Sequence, residues 1–453
     1  MKVVKFGGTS LASGEQLNKV FDIVVSDPQR KIVVVSAPGK RFSSDTKVTD
    51  LLIACGESWL NGACDQYLFD MVIDRYRLIA EDLSVSGSVV ERIRVDLIEI
   101  LNGDLSDKGQ FMDAVKASGE DNNAKLVAAF FQARGVDAEY MNPREAGLIV
   151  SDEPGNAQVL AESYANLYHL RNKKGIVIFP GFFGYTTDGK VMTFPRSGSD
   201  ITGAILANAV KADLYENYTD VDAVFSVNPT IINKPKEISV LTYREMRELS
   251  YAGFSVLHDE ALIPAFKAGI PVNIKNTNNP LSPGTMIVNK KELTNGPVVG
   301  IASDNDFCSI YVSKYLMNRE IGFGRKLLQI LEDLKLSYEH VPSGIDDLTV
   351  ILRQNQMDSE LEEIIRSRII DELEADEVKI EHNLSLIMIV GEGMRSNVGT
   401  VARASKALAN AGINIEMINQ GSSEVSMMFG VKELQENRAV AALYDEFFTS
   451  VSV

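Results

Sequence analysis

Short apolar runs alternate with helical stretches over the first 285 residues. Val3–Phe6 and Lys31–Ser36 are runs of the type found in strands buried on both faces. Between them, Glu15 to Ser26 repeats apolar positions at helical spacing. Gly175–Phe179 and Ala212–Tyr218 repeat the strand pattern, with Asp200–Val210 as the helix between. This alternation predicts an α/β fold, a parallel-rich sheet covered by helices on both faces. Residues 47–102 read as mostly helical and predict an added helical lobe. Pro280–Gly284 predicts a turn, and Thr285–Val288 one more short strand. From 289 to 297 the apolar pattern lapses, which places the main boundary there.

Beyond that boundary lies an internal repeat. Ser309-Ile-Tyr-Val opens one copy and Ser385-Leu-Ile-Met the other. Each continues with a Met- and Gly-containing loop, Met317–Gly324 or Met394–Gly399, and a helix, Arg325–Leu334 or Val401–Ala411. A strand follows, then a turn at Ser343-Gly344 or Gly421-Ser422, then a last strand, Leu348–Leu352 or Val425–Phe429. Two copies of about 75 residues predict paired small α+β modules, too few and too long for a solenoid. The expected domains are 1–290, 300–375 and 380–453.

Charge and cysteine usage narrow the function. A net charge of −17 and no dense run of Lys and Arg argue against a nucleic-acid partner. The same field repels anionic small molecules, so a site for a nucleotide or a dicarboxylate needs a few well-placed cations. Cys55, Cys64 and Cys308 match no zinc spacing, and the four histidines are scattered. A reducing, cytoplasmic location without disulfides is expected. No apolar run approaches the roughly 20 residues of a membrane-spanning helix. The first residues lack the pattern of a secretory signal, so no membrane partner is expected.

Five segments carry candidate chemistry. In Lys5-Phe6-Gly7-Gly8-Thr9-Ser10 a strand ends in two glycines before a helix, which suits close backbone approach to a phosphate with Lys5 as counter-charge. A capped turn needs the same residues, and the spacing is not that of a Walker A loop. Thr193 to Asp200 is a strand, a loop and a helix start near Ile201, with Ser199 or Asp200 as N-cap; Arg196 suits bidentate capture of a carboxylate. Tyr218-Thr219-Asp220 ends a strand, where ligands of open α/β sheets bind. Ala117-Ser118-Gly119-Glu120 leads into a helix, and Glu120 suits either a substrate ammonium or the helix dipole. Lys47-Val48-Thr49-Asp50 follows Pro38-Gly39 and means little alone.

The order of these segments resembles the aspartate kinases of the amino-acid kinase family over essentially the whole chain. The match runs through Lys5–Ser10, Val48-Thr49, Ser118-Gly119-Glu120, Pro180-Gly181-Phe182, Arg196–Asp200, Thr219-Asp220-Val221 and Val256-Leu257-His258. The C-terminal repeats resemble tandem ACT modules. The resemblance implies transfer of the ATP γ-phosphoryl group to the β-carboxylate of L-aspartate. A carboxylate is already ionised near neutral pH, so no general base is required. What remains is charge neutralisation by Lys5, Mg²⁺ and the Gly7 and Gly8 amides. By the same resemblance Lys5, Arg196 and Asp200 are catalytic. Thr49, Glu120, Phe182, Arg196 and Ser199 bind aspartate. Lys5, Gly7, Gly8, Thr219, Asp220, Phe225, Ser255 and Val256 line the nucleotide. Mg²⁺ is held mainly by phosphates and water.

Three positions depart from the family pattern. Ser197 replaces a glycine, Thr230 an arginine and Ser255 a lysine, so two cations expected near the phosphates are missing. Lys234, Lys236 and Lys275 are the candidate substitutes. The ACT resemblance implies feedback inhibition. The candidate effector contacts are Met317, Gly322, Ser337, Tyr338, Glu339 and Asp346, with Ser337–Glu339 on a strand. Their acidic excess places lysine ahead of threonine, with joint action as the alternative. A homodimer through the ACT modules is expected, or a tetramer. The competing readings are another amino-acid kinase and a non-catalytic amino-acid sensor.

Overall fold

Strand β1 (Lys2–Phe6) forms because its β-branched residues are buried on both sides of a sheet; Val3, Val4 and Phe6 are fully enclosed. The computed structural model describes residues 1–254, 257, 260–292, 296–421 and 425–449. They fall into two compact units. The first comprises Met1–Val224, Glu237–Arg247 and Ser255–Lys291; the second comprises Phe225–Lys236, Glu248–Phe254 and the residues from Glu292 on.

In chain order the first unit starts β1, α1 (Gly14–Val25), β2 (Arg30–Val35), α2 (Val48–Leu60), α3 (Gln66–Asp82), α4 (Gly87–Leu101) and α5 (Lys108–Ala133). Next come β3 (Ala138–Tyr140), α6 (Pro143–Ala146), α7 (Glu162–Leu167), β4 (Ile176–Pro180), β5 (Phe183–Tyr185), β6 (Val191–Thr193), α8 (Gly198–Ala209) and β7 (Leu214–Thr219). After the two-residue strands β8 (Val224–Phe225) and β9 (Glu237–Ile238) come β10 (Val240–Thr242), α9 (Tyr243–Tyr251), α10 (Ile263–Ala268), β11 (Val272–Asn276) and β12 (Thr285–Val288). The main sheet has the order β10-β12-β11-β7-β1-β2-β4-β3. From β11 to β3 it is parallel, and β12 runs against β11. The chain leaves β1 for β2 on one side and reaches β7 on the other. The order therefore reverses at β1, which opens a crevice at the carboxyl ends of these strands.

Register fixes which side chains share a face. Lys5 pairs with Asn217 and Phe6 with Tyr218. Because strand side chains alternate, Lys5 and Asn217 lie on one face and Val4, Phe6 and Tyr218 on the other. The second set joins α1 to α5 in one core. The helical lobe extends beyond the expected 102, because α5 adds 26 residues. Ser118-Gly119-Glu120 therefore lies in the middle of a buried helix, and the helix-start reading of Glu120 is corrected. Gly119 breaks the helical pattern for a packing reason: a Cβ there would meet Ala37 Cβ and Leu52 Cδ1 at 3.0 Å.

In the second unit β13 (Gly300–Ser313), β14 (Asp347–Arg353), β15 (Glu377–Val390), β16 (Met417–Asn419) and β17 (Ser426–Lys432) form one antiparallel sheet, ordered β14-β13-β15-β17-β16. Helices α11 (Phe323–Asp333), α12 (Ser359–Leu373), α13 (Thr400–Asn410) and α14 (Glu436–Tyr444) complete it. The repeat reading missed α12 and α14, one at the end of each copy. It also expected a strand through Ser337–Glu339. The structure has only isolated bridges there, His340 to Ile351 and Ser343 to Leu348. Pro342 between them has no amide to carry a ladder.

The two module cores interleave. Val298 and Ile301 pack with Ile387, Ile389 and Phe429, whereas Val378 packs with Ile310 and Leu327. The start of β13 thus completes the second core and the start of β15 the first, so cuts at 300 and 380 divide neither cleanly. The segment 225–236 also groups with the second unit, with Val227 in the second core.

Candidate active site

The parallel strands end along one edge, and each end supplies a turn: Gly7-Gly8 after β1, Ser36–Gly39 after β2, Gly181-Phe182 after β4, Asp220 after β7 and Thr277 after β11. The first two turns pack backbone on backbone. The Gly39 N–H donates to the Gly8 carbonyl at 2.8 Å. A Cβ on Gly39 would fall 2.5 Å from the Gly8 carbonyl carbon and 2.7 Å from the Thr9 nitrogen. Only glycine fits, which the sequence reading of Pro38-Gly39 missed. The Gly7 N–H is engaged by the Tyr218 carbonyl at 3.0 Å, which corrects its expected role as a free phosphate donor.

Lys5 is buried at the end of β1, its Nζ 2.6 Å from Asp200 Oδ1. The same oxygen accepts from Asn217 Nδ2 at 2.7 Å, and Tyr215 Oη donates to the Asp200 carbonyl at 3.2 Å. Helix α8 starts at Gly198, not near Ile201. The cap position is Ser197, without a side-chain cap bond, so neither Ser199 nor Asp200 is the N-cap. Ser197 has φ +62°, where the missing glycine would sit without strain. Phe182 also has positive φ, +78°. Its N–H donates to Thr202 Oγ1 at 3.0 Å and its carbonyl accepts from Phe194 at 2.8 Å, so both neighbours hold the strained turn. Ser199 packs on Gly181, where a Cβ would lie 2.5 Å from the Ser199 Oγ. Arg196, between these features, is exposed and has no ion-pair partner among the described residues.

Glu120 enters from α5. Its carboxylate accepts from the Ala37 amide, but Oε2 is buried without a partner. Burial pushes the carboxyl up to about 8, against the opposing pull of that amide and of Lys5. One turn on, Asn123 Nδ2 donates to the Ser36 carbonyl at 2.6 Å and fixes α5 to the same strand end. Thr49 is half-buried in the first turn of α2.

On the other side of β1, Thr219 ends β7 and its carbonyl accepts from the Thr277 amide at 3.0 Å. Thr277 Oγ1 in turn meets Ser10 Oγ at 2.7 Å, and Asn276 donates to Asp222 at 2.9 Å. Nothing in the sequence signals Asn276 or Thr277, because register alone brings β11 beside β7. Lys275 pairs with Tyr218, so it projects from the face opposite Lys5 and does not replace a cation beside Asp200. Phe225 falls in the second unit. Ser255 and Val256 lie outside the described residues.

The six effector candidates separate. Lys314 N donates to the Asp346 carbonyl at 2.9 Å, so Asp346 lies at the Ser313 end of β13, where the loop through Met317 and Gly322 begins. Asp346 Oδ1 is buried without a partner. Ser337 to Glu339 run beside the other half of β14. The Ser337 N–H donates to Gln356 Oε1 at 2.9 Å, the Glu339 N–H donates to the Ile351 carbonyl at 2.8 Å, and the Glu339 carboxylate accepts from the Tyr251 hydroxyl. Tyr338 is half-exposed.

Residues 1–276 match the amino acid kinase family and residues 387–447 an ACT domain. Aspartokinase 3 of Bacillus subtilis is 68% identical over 453 residues, all of both chains. A chloroplastic aspartokinase of Arabidopsis thaliana is 28% identical over 99% of this chain and 80% of its own. Among solved structures, Clostridium acetobutylicum aspartate kinase superposes with TM-score 0.87 at 36% identity, covering 99% of this chain and 100% of that one. Escherichia coli aspartokinase III with lysine and aspartate, in its T-state, gives 0.76 at 25% identity and 99% of both chains.

Proposed function

The chain belongs to the amino acid kinase family and within it to the aspartokinases, and from that premise we propose how its residues share the work. The reaction moves the γ-phosphoryl group of ATP to the β-carboxylate of L-aspartate, giving 4-phospho-L-aspartate and ADP. Both reactants are anions, so catalysis is positioning and neutralisation. The buried Lys5–Asp200 pair beside the Gly8–Gly39 contact carries the assignment of the reaction centre. The γ-phosphoryl group lies at that contact, and Lys5 shifts from Asp200 onto its oxygens as negative charge grows on the bridging atom. Asp200 holds the ammonium in place until then.

L-Aspartate occupies the space framed by Glu120, Arg196 and Ser199. Arg196, unpaired among the described residues and exposed, grips a carboxylate with two of its guanidinium nitrogens. Glu120 takes the α-ammonium on its partnerless Oε2, so it must be ionised when aspartate is bound. Thr49 and Ser199 donate hydroxyl bonds, and Phe182 walls the site. Thr219 and Asp220 face the nucleotide, with Phe225, Ser255 and Val256 assigned to it by resemblance. Among the described residues no three His, Cys, Asp or Glu side chains converge as a metal cage. Of the nearby carboxylates, Asp200 is committed to Lys5 and Asp222 to Asn276. Such a donor set fits Mg²⁺ carried by phosphates and water, where it offsets phosphate charge.

The C-terminal modules read as regulatory, with 300–375 and 380–453 as their approximate extents. Lysine is the effector we assign first, since Asp346 offers a buried carboxylate oxygen without a partner and the related E. coli enzyme was crystallised with lysine. Threonine, alone or with lysine, is the alternative. A cytoplasmic homodimer or tetramer completes the reading. No helix among the described residues is long and apolar enough to cross a membrane. An ADP-release assay of Lys5→Ala and Arg196→Ala tests the centre; near-normal turnover in either would remove that residue from it.

A further inference from the structure

Asp200 Oδ1 receives two donors, Lys5 Nζ at 2.6 Å and Asn217 Nδ2 at 2.7 Å. Asn217 is 2% exposed and stands in the middle of the sheet, between Lys5 on β1 and Ile274 on β11. A strand buried on both faces ordinarily carries an apolar residue there. A primary amide in such a place is retained at a desolvation cost, offset only by the bonds it makes. The bond it makes is to the carboxylate that holds Lys5.

We infer that Asn217 is a positioning residue for phosphoryl transfer, acting on Lys5 through Asp200. The inference rests on the assignment of Lys5 to the reaction centre. When Lys5 leaves for the phosphate, Asp200 loses its cation. A carboxylate left alone in a buried site follows the ammonium unless another donor holds it. The Asn217 amide prevents this, since it keeps one strong donor on Oδ1. The Asp200 backbone is fixed independently by its N–H to the Ser197 carbonyl at 2.8 Å and by Tyr215 at its own carbonyl. Asn217 therefore has the side-chain carboxylate as its separate charge. Being neutral, the amide does this without a second cation competing for Asp200. Lys275, from the opposite face, cannot do so.

The test is Asn217→Leu, which has the same branching and number of heavy atoms, with Asn217→Ser as a smaller variant should leucine prevent folding. Turnover is measured with L-aspartate and ATP, each varied in turn, alongside Lys5→Ala. Loss of one hydrogen bond to a charged group lowers kcat about 10–100-fold. The KM values for both substrates stay within about threefold, because neither substrate touches Asn217. Unchanged kcat in a folded variant, or KM values raised as much as kcat is lowered, with Lys5→Ala inactive, would overturn the inference and leave the Lys5 assignment standing. Active Lys5→Ala would overturn both.

Discussion

Lys5 and Asp200 meet at 2.6 Å, one from the end of β1 and the other from the first turn of α8. Neither is near the other in sequence, and both are buried. Removing one partner leaves an uncompensated charge, at a cost of about 3–5 kcal/mol. Lys5→Met is therefore expected to lower the melting temperature as well as abolish turnover. Lys5→Met with Asp200→Asn removes both charges and is expected to recover much of the stability, but no activity. Thermal denaturation and ADP release on the three proteins check this. Recovered turnover in the double variant would show that the pair is structural only.

Glu120 supplies the pH prediction. Burial raises its carboxyl to about 8, above its ordinary value of 4.5. The free protein therefore holds a proton there at neutral pH, and pairing with an ammonium expels it. Aspartate binding should release a proton, and the KM for aspartate should fall as pH rises from about 6.5 toward 8. Stability moves the other way. The folded state binds the extra proton, so stability from this group is fullest below 4.5 and declines as pH rises through about 8. In Glu120→Gln the KM is raised and its slope over this range flattens. An equally steep slope in that variant would assign the dependence to another group.

Arg196 is exposed and unpaired among the described residues, so its removal should cost little stability. Arg196→Ala is expected to raise the KM for aspartate at least about 30-fold, with the KM for ATP changed less than about threefold. Initial-rate kinetics with each substrate varied in turn decide it. Equal effects on the two substrates would remove the carboxylate-grip assignment.

Ser197 sits at φ +62°. Replacement by glycine relieves about 1 kcal/mol of backbone strain and should raise the melting temperature by about 2–4 °C without loss of turnover. Gly39→Ala should do the opposite, since its methyl would lie 2.5 Å from backbone that cannot move aside. A stable, active Gly39→Ala protein would refute the claimed backbone contact.

The regulatory assignment is checked by titrating lysine and threonine, singly and together, against initial rate. Inhibition by lysine should weaken in Asp346→Asn, whose carboxylate has a partnerless buried oxygen, with basal rate retained. Inhibition by neither amino acid would reject the regulatory reading.

The strands were legible in the sequence to within one or two residues because buried β-branched runs have few alternatives, and β12 has the bounds expected of it. The site was legible where glycine, arginine or a helix start marks it. It was not legible where position depends on register. Asn217 reads as an ordinary strand residue until β1 pairs with β7, and Thr277 until β11 joins them. Glu120 was misread as a helix start because Ser118-Gly119 breaks the helical pattern, while Ala37 and Leu52 require the glycine there. The interleaved modules were hidden for a similar reason. A 14-residue strand such as β13 serves two cores, and no local pattern marks where one ends.

The central claim is that an aspartate carboxylate is phosphorylated at the centre built on Lys5. Trapping the acyl phosphate with hydroxylamine measures this directly. With ATP and Mg²⁺, the wild-type protein should give the hydroxamate from L-aspartate and not from L-glutamate, and Lys5→Ala should give none. Hydroxamate from L-glutamate at a comparable rate, or undiminished product from Lys5→Ala, would contradict the account.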